Sequence, residues 1–178
     1  AWVKPSIVVI FKNMKILPII IVIAVIVGGI YWAKSGSAPQ MTNSEFLGST
    51  SDTQIITEEQ VAYFPGASGY FAYPEVPGDY PGVVMIHENR GLRPEIRATA
   101  EALAKEGYMV LAVDMFNGKV VEAQEEARAL TAGFAQATGT AHLRAAAQYL
   151  RDEGATKIAS LGWCFGGRQS IELSISGE

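Results

Sequence analysis

The only cysteine of this 178-residue chain, Cys164, lies in the hexapeptide Gly-Trp-Cys-Phe-Gly-Gly at residues 162–167. In a Gly-x-nucleophile-x-Gly turn the backbone passes sharply from a strand into a helix, and the small residues on either side of the nucleophile prevent a clash. A thiol in the first turn of that helix lies at the positive end of the helix dipole, which favours the attacking thiolate form. The spacing therefore predicts that Cys164 is a nucleophile and that the Phe165 N–H donates to an oxyanion.

The alternative role for Cys164 is that of a small buried apolar residue, which is commoner for a single cysteine. The segments around it decide between the two roles. Residues 157–161 are typical of a short buried strand, and residues 168–175 can form a helix with Ile171 and Ile175 on one face. Strand, turn and helix therefore occur in the order that a nucleophile requires, and the sequence favours catalysis.

A second group of reactive side chains follows the apolar run at residues 83–86. Such a run is typical of a strand inside a parallel sheet, and ligands bind at the carboxyl ends of those strands. The segment 87–92 is therefore expected at a binding edge, with Glu88 as a candidate catalytic group and Asn89 as the donor of a second oxyanion N–H. The alternative for Glu88 is a solvated carboxylate paired with Arg90, which contributes little.

The rest of the domain, which begins near Ile55, must position these groups. Its alternating strand and helix patterns predict an α/β fold with a doubly wound, mostly parallel sheet and right-handed crossovers. Two aromatic segments on either side of a Pro-Gly turn predict an antiparallel hairpin. The expected elements are hairpin strands at 61–64 and 69–73, a helix at 94–105 and a strand at 108–113. Two further helices are expected at 121–131 and 141–152, with the helical pattern broken between them around Gly133 and Gly139.

The N-terminal part of the chain contains an uncharged apolar run at residues 16–32, at the short end of what crosses a bilayer as a helix. Lysines are more frequent before this run than after it, which places the N-terminus inside and the remainder outside. Small residues at 35–38 keep a cleaved signal peptide open as the alternative. The sequence thus predicts a basic segment at 1–15, of which 1–13 is interpreted as upstream sequence without a structural role, a transmembrane or signal-anchor helix at 16–32, a flexible linker at 33–54 and a domain at 55–178.

Composition excludes several classes of function. The net charge is −4 and both signs are scattered along the chain, so no basic surface for nucleic acid is expected. One cysteine cannot form an internal disulfide or supply a structural zinc or iron–sulfur site. No cluster of residues implies a metal or an organic cofactor.

Three segments together resemble the dienelactone hydrolase family of the α/β-hydrolase superfamily: residues 84–92, 112–116 and 162–167. The resemblance extends over about residues 61–178 and implies a cysteine nucleophile that acts on lactones or other activated esters. It implies that Glu88 contacts the resting thiol and accepts its proton when substrate arrives. It also implies an arginine that pairs with a substrate carboxylate, for which Arg128 is the candidate and Arg90 and Arg97 are the alternatives.

The sequence departs from the family pattern after the nucleophile. The acid and histidine of the triad follow the nucleophile in this fold, but both histidines, His87 and His142, precede Cys164. We therefore expect a C-terminally truncated domain with little turnover, and a nucleophile strand whose outer edge is exposed and prone to aggregation. The alternatives are a catalytically silent, membrane-anchored binding domain and, less favoured without a second cysteine, a thiol redox function.

Overall fold

The computed structural model describes the backbone of residues 7–11 and all atoms of residues 53–177. The strands are β1 (Ile7–Phe11), β2 (Ile55–Phe64), β3 (Ala67–Pro74), β4 (Gly82–Ile86), β5 (Met109–Val113) and β6 (Ile158–Trp163). The helices are α1 (Pro94–Lys105), α2 (Gln124–Ala132), α3 (Gln136–Asp152) and α4 (Phe165–Ile175).

The six strands form one sheet in the order β1-β6-β4-β5-β3-β2. Its centre is parallel, because β4 pairs in parallel with both β5 and β6. The β2–β3 hairpin is antiparallel, as a two-residue turn requires, and β3 also joins β5 in antiparallel register. The predicted hairpin is confirmed, whereas the prediction of a mostly parallel sheet is wrong: the sheet is mixed, with antiparallel strands on both sides of the parallel centre.

Helices cover both faces of the sheet, which confirms the doubly wound arrangement. Strands β4 and β5 are completely buried, as their uninterrupted apolar sequences predict. Alternate residues point to opposite faces. Val84, Ile86, Leu111 and Val113 pack with α3 and α4, and Val83, Met85, Val110 and Ala112 pack with α1.

Helices α2, α3 and α4 each differ from the sequence pattern, and α2 begins at Gln124 in place of the predicted residue 121. Helix α1 has the predicted bounds, but α3 begins at Gln136 and continues through Gly139 without a break. A Cβ on Gly139 would overlap the ring of Phe134, so this glycine provides space for an aromatic side chain and does not interrupt the helix. In α4, Ile171 is 44 % exposed and Ile175 is 73 % exposed, so the helix face that carries both isoleucines is open to solvent among the described residues.

The outer edge of β6, expected to be exposed, is paired with β1 in antiparallel register, from Ile7 opposite Trp163 to Phe11 opposite Ala159. Residues 7–11 therefore have a place in the sheet, although the sequence suggested no structural role for residues 1–13. The predicted membrane segment at 16–32 and the linker up to residue 52 lie outside the described residues. Within the part of the chain that is described, no helix has the length and apolar character needed to cross a membrane.

Candidate active site

The turn from β6 into α4 holds Cys164 in a backbone conformation that residues other than glycine rarely adopt. Its φ is 52° and its ψ is −112°, and it occupies the N-cap position of α4. A positive φ at a residue other than glycine is strained, and such strain is concentrated at functional sites. The thiol is exposed as a result of this turn. The structure thus has the sharp strand-to-helix turn predicted around Cys164.

The glycines on either side of Cys164 are required by backbone contacts. A Cβ on Gly162 would lie 2.9 Å from the Cα of Gly166 and still closer to its carbonyl group. A Cβ on Gly166 would lie 2.6 Å from the carbonyl oxygen of His87 and would also overlap that of Ile86. The first turn of α4 therefore lies directly on the end of β4. This contact brings the cysteine next to the loop that carries Glu88 and Asn89.

A cavity of about 560 Å³ opens in front of the thiol. Cys164, Phe165 and Asn89 all line it, so three of the predicted site residues lie around one space. As the first residue of α4, Phe165 has no partner within the helix for its N–H, which leaves that group available to an oxyanion. Among the described residues, the Cys164 sulfur forms no hydrogen bond and is free to react.

The rings of Phe134 and Phe165 line this cavity, and the ring of Phe116 packs against both without lining it. The ring of Phe165 is 4.9 Å from that of Phe134 and 5.1 Å from that of Phe116, measured between centroids. Phe116 is carried by the loop after β5, where the Asp114 carboxylate accepts hydrogen bonds from the N–H groups of Phe116, at 2.9 Å, and of Gly118. In the sequence, the segment 112–116 contributed only to the family resemblance. In the structure, its Asp114 shapes the loop that carries the Phe116 ring.

His87 connects the two loops that flank the cavity and has no free nitrogen. The side chain is completely buried. Its Nε2 accepts a hydrogen bond from the Met115 N–H at 3.0 Å, so the proton is on Nδ1, which donates to the Glu88 carbonyl oxygen at 2.5 Å. Burial lowers the pKa of His87 and keeps the ring neutral. Both nitrogens are engaged, so His87 holds loops together and cannot act as a triad base.

Glu88 is beside the cavity but does not line it. Its carboxylate lies 3.6 Å from a guanidinium nitrogen of Arg93, and it forms no hydrogen bond with Cys164. Arg90, the partner considered from the sequence, is instead 3.5 Å from the Glu122 carboxylate. The contact between Glu88 and the resting thiol that the resemblance implies is therefore not formed in this conformation.

The arginines predicted to bind substrate are also away from the cavity. Arg128 is exposed on α2 and is not among the lining residues. Arg97 is bound to Glu59 through two hydrogen bonds of 2.8 and 2.9 Å. The arginine that does line the cavity is Arg168, which the sequence analysis missed. Its position four residues after Cys164, one helical turn away, was the signal that could have revealed it.

His142 lies on α3, half-buried against the hairpin rather than on the surface as expected. Its ring centroid is 4.2 Å from that of Phe64, and its buried Nδ1 has no hydrogen-bond partner among the described residues. Burial lowers its pKa. It does not line the cavity, and neither histidine therefore fills the triad role, in agreement with the sequence analysis.

Comparisons with known proteins agree with this geometry. The dienelactone hydrolase family matches residues 67–178. A Synechocystis sp. protein provisionally named carboxymethylenebutenolidase is 32 % identical over 111 residues, covering 56 % of this chain and 45 % of that protein. An Escherichia coli protein provisionally named hydrolase fragment YghX is 49 % identical over 47 residues, covering 26 % of this chain and 40 % of that protein.

Two solved structures are similar over the same region. The structure titled m3DLH has a TM-score of 0.63 and 32 % identity, and the match covers 70 % of this chain and 55 % of that one. A dienelactone hydrolase-like promiscuous phosphotriesterase, P91, from metagenomic libraries has a TM-score of 0.62 and 28 % identity, with 69 % and 55 % covered. The chain spans about half the length of these relatives. The strained cysteine turn, the loop after β4 and a family match over more than half of the sequence lead to one conclusion: the chain belongs to the dienelactone hydrolase family.

Proposed function

We propose that this chain carries the acylation half of a site that hydrolyses esters or lactones, with Cys164 as the nucleophile. The observation that carries the proposal is the thiol itself. It is exposed, has no hydrogen-bond partner among the described residues, sits in a strained turn at the start of α4 and faces a cavity of about 560 Å³. A cysteine with only a packing role would be buried in the core. The names of the hydrolase relatives support the same reaction class.

In the proposed acylation, the Cys164 sulfur attacks the carbonyl carbon, a C–S bond forms and the carbonyl oxygen becomes an oxyanion. The N–H groups of Phe165 and Asn89 stabilise this oxyanion. Glu88 accepts the thiol proton and passes it to the leaving alkoxide as the C–O bond breaks. This requires Glu88 to exchange its ion pair with Arg93 for a contact with the thiol. The product is a thioester on Cys164.

Hydrolysis of the thioester needs a base that activates water. Among the described residues, His87 has both nitrogens engaged, and neither His87 nor His142 lines the cavity. We therefore infer that the chain acylates faster than it deacylates. Such an imbalance produces a burst of the first product followed by slow turnover.

The burst is directly measurable with p-nitrophenyl acetate. We expect the release of about one equivalent of p-nitrophenolate per chain and a covalent acetyl group on Cys164, detected by mass spectrometry. Cys164→Ala should abolish both. Ser174→Ala, which removes a small polar atom from the same helix outside the cavity, is the matched control and should keep them. An unchanged burst in Cys164→Ala would remove the thiol from the mechanism, and the absence of any burst in the native chain would favour a catalytically silent binding domain.

We also propose that the apolar run at residues 16–32 anchors the domain on the outer side of a membrane, either permanently or until cleavage. The support is the length of the run and the lysine bias before it. Digestion of the domain by protease added to intact cells is the expected result. Protection from that protease until the cells are lysed would contradict the orientation.

A further inference from the structure

A second cavity, of about 120 Å³, lies between the β2–β3 hairpin and the loops that follow β4 and β5. It shares no lining residue with the cavity in front of Cys164. Among the described residues, three other than glycine have a positive φ, and two of them lie at this cavity. Gln60 lines it from a bulge in β2, and Asn117 directly precedes Gly118, which also lines it. The third is Cys164. Because such strain is concentrated at functional sites, the second cavity is a candidate binding site.

The Asp114 carboxylate is a buried charge at this cavity. Asp114 is 9 % exposed and lines the cavity. One of its oxygens accepts the N–H of Phe116 and the other accepts that of Gly118, which leaves a further acceptor position on each oxygen. His87 lies 3.9 Å away, but its ring is neutral and its Nε2 already accepts a hydrogen bond. Among the described residues, Asp114 therefore has no cationic partner. Since buried charges are normally paired, the cavity is expected to hold a cation.

The other polar groups around the cavity determine which cation fits it. The Ser68 hydroxyl donates its proton to Gln60 Oε1 at 3.2 Å, so it offers only acceptor lone pairs to a bound molecule. Arg97 also lines the cavity, but two hydrogen bonds to Glu59 neutralise its charge, and its Nε is buried. One carboxylate without a cationic partner suits a singly charged cation better than a divalent metal ion, which takes six or more oxygen ligands. The cation should therefore be a donor of N–H hydrogen bonds.

We propose that the second cavity binds a short primary amine in its ammonium form. The ammonium group donates to the Asp114 carboxylate and to Ser68 Oγ, and the side chains of Leu92 and Val120 contact the alkyl stem. The cavity has about four times the volume that a water molecule occupies in the liquid, so a stem of about two or three carbon atoms fills it. The proposal is independent of the role of Cys164, because the two cavities are lined by different residues.

Binding can be measured by titrating the full chain with ethylammonium chloride and recording the backbone amide resonances by NMR. The N–H groups of Phe116 and Gly118 report on the site directly, because both donate to Asp114. We expect both resonances to shift along a saturating curve with a Kd of about 1 mM or weaker, the limit for a ligand of about three non-hydrogen atoms. Ethanol is a neutral molecule of the same size, and tetramethylammonium is a cation without N–H donors. Each should bind at least about tenfold more weakly than ethylammonium.

Two variants test the residues that hold the ammonium group. Asp114→Asn removes the charge but keeps one carbonyl oxygen, and it should raise the Kd about tenfold or more. Ser68→Ala leaves the hydrogen bonds of Asp114 in place and should raise the Kd about threefold. The matched control is Asp79→Asn, which removes the same charge from an exposed position before β4, whereas Asp114 follows the opposite end of the parallel strands. That variant should leave the Kd unchanged.

Several outcomes would overturn the proposal. One is the absence of any shift at Phe116 and Gly118 up to about 50 mM ethylammonium, and another is equal binding of ethanol or tetramethylammonium. Saturation of the same resonances by Mg²⁺ or Ca²⁺ at lower concentration would make the cavity a metal site. Tighter binding of Nα-acetyl-lysine amide than of ethylammonium would assign the cavity to a lysine side chain of a partner protein and not to a free amine. Cys164→Ala should bind ethylammonium as the native chain does, so a failure here leaves the proposed nucleophile untouched.

Discussion

Two segments meet at the candidate site and are positioned by different interactions. The cysteine turn, residues 162–166, is fixed by backbone contacts between its two glycines and between Gly166 and the end of β4. The acid loop, residues 87–93, has a fixed backbone because His87 bonds at both nitrogens, but its carboxylate is held only by a 3.6 Å ion pair between Glu88 and Arg93. Backbone contacts permit one arrangement, whereas a partly exposed ion pair is weak and can be exchanged. The thiol is therefore fixed in place, and the carboxylate can change its partner.

The largest effect is expected from Gly166→Ala in the cysteine turn. The new methyl group would overlap the carbonyl oxygens of Ile86 and His87, which belong to the backbone and cannot move aside. We expect the free energy of unfolding to fall by about 3 kcal/mol or more, measured by urea denaturation.

The control for this prediction is Gly133→Ala at the end of α2. A Cβ there comes no closer than 3.4 Å to another atom, and the backbone φ of −85° suits any residue. Its unfolding free energy should change by less than about 1 kcal/mol. Equal stability of the two alanine variants would mean that the glycine contact does not fix the turn.

A smaller effect is expected from His87→Gln in the acid loop. Burial lowers the pKa of His87 below the 6.5 of an unfolded histidine. Below pH 6.5, His87 therefore binds a proton in the unfolded chain more readily than in the folded chain. The stability contributed by the neutral ring is complete above pH 6.5 and is lost as the pH falls toward the folded pKa of His87. The loss cannot exceed about 1.4 kcal/mol for each pH unit from this one group.

Removing the ring should lower stability at pH 7.5 by about 1–3 kcal/mol, because the Met115 N–H or the Glu88 carbonyl loses its buried partner. It should also flatten the dependence of the unfolding free energy on pH between 6.5 and 5. His142→Gln is the comparison, since His142 is half-exposed and should account for less of the slope. A slope that survives His87→Gln and disappears in His142→Gln would assign the titration to His142 on α3 and contradict the prediction.

The same difference between the two segments explains how much the sequence could predict. The geometry of the cysteine turn was predictable because its requirements are local: glycines at fixed offsets, an apolar strand before and a helix after. The bounds of α1 and the presence of the hairpin, though not the full length of its strands, were predictable for the same reason, since proline, glycine and alternating apolar residues act on their near neighbours.

The partners of Arg90 and Arg97 were not predictable, because these ion pairs join residues that only the fold brings together. Arg90 pairs with Glu122 and Arg97 with Glu59, more than thirty residues away in each case. The role of Gly139 was missed for a similar reason, since the ring that occupies its space comes from the turn before α3. The exposure of Ile171 and Ile175 could not be predicted either, because apolar residues at helical spacing indicate a shared face but not whether another element packs on it.

The smallest effect is expected from Arg93→Gln, which tests whether the Glu88 carboxylate can change its partner. Both side chains of the ion pair are partly exposed, and Arg93 lies closer to Glu95, at 3.0 Å, than to Glu88. Stability should therefore change by less than about 0.5 kcal/mol. The freed carboxylate can then turn toward Cys164 and accept its proton during attack, so alkylation by neutral iodoacetamide at pH 7 should become about twofold faster. The double variant Arg93→Gln with Glu88→Gln should lose that gain, because the amide cannot accept the proton. A gain that persists in the double variant would show that Arg93 acts on the thiol by some route other than Glu88.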